Sequence, residues 1–168
     1  MVKLSMRARQ IDNERGFTLT ELATILGIMV VLSALAVPSL SSMLRNNRVK
    51  QAASDMVMTL AYARNEAITR NAQVTVVAFG TWGAGWQVVV NGTALRQTLL
   101  GGEVTVAGPA DNSVTYNPNG RLATLTALKF MFSVPGNTQV LTRCVSAGLM
   151  GQPVLQSDTH HDGDCSNG

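Results

Sequence analysis

The chain divides by the rhythm of its apolar positions. From Leu22 to Leu44 no charged residue occurs, and the next charge is Arg45. One helical crossing of a hydrocarbon core needs about 20 mostly apolar residues, so this run is long enough to span. Beyond it the pattern becomes amphipathic. Val49, Ala52, Ala53, Met56, Leu60, Ala63 and Ala67 recur at spacings of three and four, which marks one face of a helix. Arg45, Arg48, Asp55 and Arg64 fall mostly off that stripe. The pattern reaches about Arg70, and one helix from Phe17 would be roughly 80 Å long at about 1.5 Å per residue. Few globular domains bury such a helix along its whole length. Its first half must be covered by lipid or by other copies, and its second half by its own domain. Gly27 is one soft point. Pro38 is another, because its ring removes a backbone hydrogen bond and should kink or loosen the helix.

From Gln73 the signal becomes β. Val74 to Phe79 is rich in β-branched and aromatic residues, Thr81 to Gly85 reads as a break, and Trp86 to Val90 reads as a second strand. Asn91-Gly92 is a strong hairpin turn. Further short runs follow at Arg96 to Leu100, Val104 to Ala107, Val114 to Tyr116, Leu128 to Val134 and Gln139 to Ser146. Gly108-Pro109 and Asn117-Pro118-Asn119-Gly120 separate some of them. Several strands with no second helical stretch predict an α+β protein. Its long N-terminal helix is transmembrane in the first half, amphipathic in the second, and packed on a mostly antiparallel sheet.

Composition narrows this picture. The 168 residues are 14% charged and 46% hydrophobic, which fits an ordered domain plus an anchor. The net charge is +3. Lys3, Arg7, Arg9 and Arg15, offset by Asp12 and Glu14, contribute +2 of it ahead of the apolar run, leaving +1 for the rest. That is too little to indicate a nucleic-acid surface by charge alone. No nucleophile elbow, phosphate-binding glycine loop, HExxH or CxxC occurs, so the sequence does not read as an enzyme and implies no cofactor. His160, His161, Asp162 and Asp164 are metal-ligand types. Adjacent histidines do not converge readily, however, and no metal is assigned there.

The apolar run admits three readings. Basic residues in front and Ala34-Leu35-Ala36 within it suit an ordinary signal peptide. A plain single-pass anchor is the second. Both leave Glu21 idle, although a carboxylate at the mouth of such a run is costly and needs a reason. The third reading uses it. Arg15-Gly16-Phe17-Thr18-Leu19-Thr20-Glu21, with the basic leader, the apolar stretch and Pro38 at the twenty-second position from Phe17, resembles the processing site of type IV prepilins and type II secretion pseudopilins. Thr20 stands where Ile is commoner in that family. The helix tail Ala52 to Asn71, the paired strands and Tyr116-Asn117-Pro118-Asn119-Gly120-Arg121 resemble, within it, the GspH/FimT/FimU group of minor pilins and minor pseudopilins.

The resemblance carries a set of expectations. It implies a pilin fold with a cytoplasmic leader at 1–16, a transmembrane and filament-core helix at 17–44, and a periplasmic half-helix plus β domain at 45–168. It implies cleavage by a prepilin peptidase between Gly16 and Phe17, N-methylation of Phe17, and use of Glu21 in assembly. Four helical steps put Glu21 roughly 6 Å along the axis from the new amine of Phe17, which a shifted neighbour would bring beside the carboxylate. The implied partners are other major and minor pilin subunits, the peptidase and the bacterial inner membrane, with a place in the pilus after assembly. The implied role is to prime or cap a pilus. A type II secretion pseudopilin and a DNA-binding uptake pilin are the alternatives.

Two C-terminal features bear on that choice. Cys144 and Cys165 permit a disulfide or two free thiols, and an oxidising compartment favours the disulfide. Such C-terminal loops occur in pilins and are less usual in GspH-type secretion subunits. One branch of the group binds DNA through a Gly-Arg-x-Arg motif. The matching stretch here is Gly151-Gln152-Pro153-Val154, which keeps the glycine and lacks both arginines. Gln and Val cannot supply the charge that dominates phosphate affinity, so DNA is disfavoured as a partner.

Overall fold

A computed structural model describes residues 16–160 and Cys165, without the side chains of residues 35–39. Most of the leader, part of the Ala34-Leu35-Ala36 site, the Pro38 side chain and His161, Asp162 and Asp164 lie outside the described residues. The chain forms two compact units, Met1–Ser39 and Leu40–Gly168. One helix, α1, is assigned over Leu19–Arg70 and contributes to both.

In the first unit α1 exposes its apolar side chains. Leu22, Leu26, Ile28, Met29, Val30, Val31 and Leu32 are each more than half exposed. Thr24 and Ser33 return their hydroxyls to carbonyls one turn back, Thr24 Oγ1 to Thr20 O at 3.0 Å and Ser33 Oγ to Met29 O at 2.7 Å. Their polar groups are thereby satisfied within the helix. No helix among the described residues is long and apolar enough to cross a membrane. The charge-free run continues through residues 35–39, whose side chains are outside that set.

In the second unit the expected stripe is the core. Val49, Ala52, Ala53, Met56, Leu60, Ala63 and Ala67 are at most 3% exposed. The helix ends where Asn71 adopts a left-handed conformation, with φ 50°. Asn71 N–H then donates to Ile68 O and Ala72 N–H to Ala67 O. These paired bonds satisfy the last carbonyls of the helix, and Arg70 pairs with Glu66 one turn back.

Eight strands follow: β1 Val74–Phe79, β2 Thr81–Val90, β3 Thr93–Leu99, β4 Thr105–Ala107, β5 Ser113–Tyr116, β6 Leu128–Ser133, β7 Arg143–Ala147 and β8 Pro153–Ser157. They form two antiparallel sheets of four strands, ordered β3-β2-β1-β5 and β4-β6-β7-β8. The register of the first aligns Val76 with Val88 and Val114, and Val74 with Tyr116, so their buried side chains share one face. The second aligns Phe130 with Val145. Edge-on ring pairs join the two sheets: Trp82 with Phe130 at 4.8 Å and Trp86 with Phe132 at 6.4 Å. Trp86 also donates its indole N–H to Thr59 Oγ1 at 3.0 Å, and Thr59 donates to Asp55 O at 2.7 Å. This chain of bonds explains why Thr59, absent from the predicted stripe, is buried.

Among the differences from expectation, three in the strands have identifiable reasons. Thr81 to Gly85 continues β2 instead of breaking it. Gly85 has φ 125°, and a Cβ there would sit 2.3 Å from Thr98 O, so the glycine lets β3 approach. The run from Gln139 becomes a strand only at Arg143, because Asn137 Oδ1 accepts the Gln139 N–H at 2.9 Å and holds a turn. β8 was not expected. It begins at Pro153, which is tolerated as the first residue of an edge strand.

Candidate functional site

The first candidate is the segment where the helix begins. Gly16, Phe17 and Thr18 precede it and are exposed, Phe17 at 76%. Thr18 is the cap. Its carbonyl accepts the Leu22 N–H at 3.1 Å, and its hydroxyl accepts the Glu21 N–H at 3.2 Å. Thr18-x-x-Glu21 therefore has the spacing of a capping box, and places Glu21 in the first turn, where a negative charge suits the helix dipole. Glu21 stands out in the sequence by its charge and Thr18 does not, although the spacing between them is a readable signal. Among the described residues no heavy atom lies within 4 Å of where a Gly16 Cβ would be, so none of them demands a glycine there.

The second candidate is the C-terminal face of the β domain. Cys144 and Cys165 are joined by a disulfide with Cα atoms 6.0 Å apart. In the β6–β7 register Cys144 faces Met131, on the side of the sheet opposite Phe130 and Val145, and both cysteines are buried. Asp158, next after β8, is also buried, its N–H donating to Thr142 O at 2.9 Å. Asp158 and Cys165 are thus both buried against the β domain.

Gly151 lies at a junction between the two sheets. It has φ 75°, a Cβ would come 2.5 Å from Gly120 O, and its carbonyl accepts the Tyr116 hydroxyl at 3.1 Å. Arg64 of α1 donates to Gly120 O at 3.0 Å, and Leu122 N–H donates to Leu149 O at 3.2 Å. The glycine of the expected DNA motif therefore has a structural explanation. Gln152 and Val154 beside it are exposed. The two candidate arginines differ: Arg121 is exposed, while Arg143 is half-buried and donates to Ser157. Burial holds the Tyr116 phenol in its neutral form, pushing its pKa well above the usual value against a smaller opposing effect of Arg64. Among the described residues no group of three His, Cys, Asp or Glu side chains converges as a metal site would require.

A helix whose first stretch is uncovered, and whose second stretch fills an antiparallel β domain, defines a pilin-type protein. Residues 52–151 match the family model described as Type II transport protein GspH, and the chain belongs to that family. Two solved structures of the type IV minor pilin FimU of Pseudomonas aeruginosa share the fold. One has 24% identity and a TM-score of 0.57, covering 66% of this chain and 89% of that one. The other has 24% identity and a TM-score of 0.56, covering 64% and 91%. The pilin-like protein PilA1 of Thermus thermophilus is 41% identical over 85 residues, 49% of this chain and 52% of that protein. The prepilin peptidase-dependent protein D of Escherichia coli is 44% identical over 48 residues, 29% of this chain and 30% of that one. The chain therefore spans about half the length, or less, of the curated relatives it matches.

Proposed function

We propose that this protein is a minor type IV pilin, made as a precursor and cut between Gly16 and Phe17. In this reading a prepilin peptidase removes residues 1–16 on the cytoplasmic side of the inner membrane, and Phe17 is N-methylated. The helix at 17–44 then anchors the subunit in a single pass, with residues 45–168 in the periplasm. Assembly moves the same helix from lipid into a filament of major and minor pilins, where Glu21 pairs with a neighbour's terminal amine. The subunit helps to prime or cap the pilus and carries out no catalysis.

The observation that carries this reading is the exposure of the first helical stretch. Ile28, Met29, Val30, Val31 and Leu32 are 59–70% exposed. An isolated soluble protein rarely leaves so continuous an apolar surface uncovered. Lipid first and sister helices later supply the missing cover. The name of the Escherichia coli relative, which describes dependence on prepilin peptidase, supports the processing step. The mature N-terminal residue tests it. Methylated Phe17 by mass spectrometry is expected, and an N-terminus at Val37 would assign the run to an ordinary signal peptide.

A second reading, a minor pseudopilin of a type II secretion system, is favoured by the family description. The Cys144–Cys165 bond favours the pilus. The DNA-uptake reading is the weakest, since Gln152 and Val154 stand where that branch has arginines.

A further inference from the structure

The way α1 begins bears on processing, given the proposed cleavage between Gly16 and Phe17. Inside an α-helix each carbonyl is engaged by the N–H four residues on and is enclosed by the turn. A peptidase must reach the scissile carbonyl and its leaving nitrogen, which a helical bond does not offer. Here the first helical residue is Leu19, so the Gly16–Phe17 bond lies just ahead of the helix. It is flanked by two exposed residues.

What stops the helix at that point is Thr18. An N-cap residue has a non-helical backbone while its carbonyl already accepts the first helical bond. The Leu22 N–H reaches Thr18 O at 3.1 Å and the Glu21 N–H reaches Thr18 Oγ1 at 3.2 Å. The Thr18 hydroxyl also lies 3.2 Å from that of Thr20, so it can donate to Thr20 while accepting from Glu21. Thr24 then donates to Glu21 O at 2.9 Å, linking the next turn to the same start. Phe17 and Leu22 occupy the two positions of a hydrophobic staple, before the cap and at the fourth helical residue.

Among the described residues Gly16 has no close neighbour where a Cβ would lie, and the Thr18 cap is the group that marks where the helix begins. We propose that Thr18 is a positioning residue for processing: it terminates the helix and thereby holds the Gly16–Phe17 bond in a cleavable, non-helical backbone. Alanine at this position lacks the side-chain acceptor and is the best helix former. The helix of such a variant extends toward Phe17 and withdraws the scissile bond for part of the time.

The test is cleavage of the full-length chain in detergent by a prepilin peptidase, comparing wild type with Thr18→Ala, Thr18→Ser and Thr18→Asn. A substrate that is competent for only a fraction of the time binds more weakly by that fraction. For Thr18→Ala the expected result is a raised KM with kcat retained, by at most about fivefold, the limit set by the roughly 1 kcal/mol of a typical lost cap. Thr18→Ser and Thr18→Asn, which share a capping acceptor and little else, should restore the wild-type KM. Equal KM for wild type and Thr18→Ala overturns the inference. So does a Thr18→Asn substrate as poor as Thr18→Ala, because the peptidase would then be reading the threonine itself. A wild-type chain left uncut between Gly16 and Phe17 removes the processing reading, and this inference with it. A wild type that is cut no more readily than Thr18→Ala removes only the inference.

Discussion

The two stretches of α1 obey one local rule and meet opposite fates. Residues 19–34 and 40–70 are both helical, and both are rich in residues that favour or tolerate a helix. In the first stretch the apolar side chains run around the helix and are exposed. In the second the stripe keeps to one face and is at most 3% exposed. An all-round apolar helix has no polar face to offer water and needs cover on every side, which the proposed lipid and sister helices would supply. A striped helix needs cover on one side only, which a single β domain supplies. The difference teaches that the polar positions of α1 decide how it is held. Lys50, Gln51 and Asn65 are exposed, and Glu66 is half-buried beside Arg70. Such residues mark the side on which the second stretch meets solvent, and the run from Leu22 to Leu44 has no charged counterpart to them.

The strongest way to break the comparison is a pair of identical truncations. Leu60 is fully buried and Leu26 is 54% exposed. Leu60→Ala leaves a cavity against the sheets and should lower the unfolding free energy of the β domain by about 2–5 kcal/mol. Leu26→Ala removes the same atoms from an uncovered surface, and should change it by no more than about 0.5 kcal/mol. Denaturant unfolding of the full chain in detergent, followed by tryptophan fluorescence, reads both, since Trp82 and Trp86 lie in the β domain core. Comparable losses from the two variants would mean that the first stretch is also covered by its own chain.

The disulfide sharpens the contrast, because both of its ends lie in the second unit, which it closes on itself. Cys144 and Cys165 are 21 positions apart. A loop of that size is worth about 3 kcal/mol in the chain-entropy model. The double variant Cys144→Ala/Cys165→Ala should lose about that much stability in the same unfolding assay. Reduction of the wild type should lower it similarly. Unchanged stability in both would show that packing around β7 and Asp158, without the bond, holds the C-terminal segment.

Much of this was legible in the sequence. The seven-residue stripe of α1 was readable because one helix face repeats at three and four, and each of its members is buried. The Asn91-Gly92 turn was readable because both residues accept positive φ, here 49° and 81°. Other parts depended on tertiary approach. Thr59 is a polar residue whose burial requires the Trp86 indole, 27 residues away. Gly85 looked like a breaker and is a place where β3 comes close. β8 had no alternation to reveal it, since its exposure follows from lying at a sheet edge. At the helix start Glu21 was conspicuous by its charge, whereas Thr18 acts through a short local bond that any threonine at that spacing can make.

The smallest expected effect concerns titration in the second unit. Tyr116 in the second unit is fully buried and donates to Gly151 O at 3.1 Å, and burial raises its pKa above the ordinary value of 10.0. The folded phenol therefore keeps its proton at a pH where the unfolded one has lost it. Its stabilising effect is fully present below pH 10.0 and is lost as pH rises from there toward the folded pKa. Tyr116→Phe removes the hydroxyl and leaves the Gly151 carbonyl without that donor, which should cost about 1 kcal/mol at neutral pH. Above the phenol's ordinary pKa the variant has no such proton to lose, so its stability should fall less steeply than that of the wild type. The two curves should converge with rising pH in denaturant titrations of the full chain. Parallel curves would place the alkaline loss in other groups and leave Tyr116 as a packing residue alone.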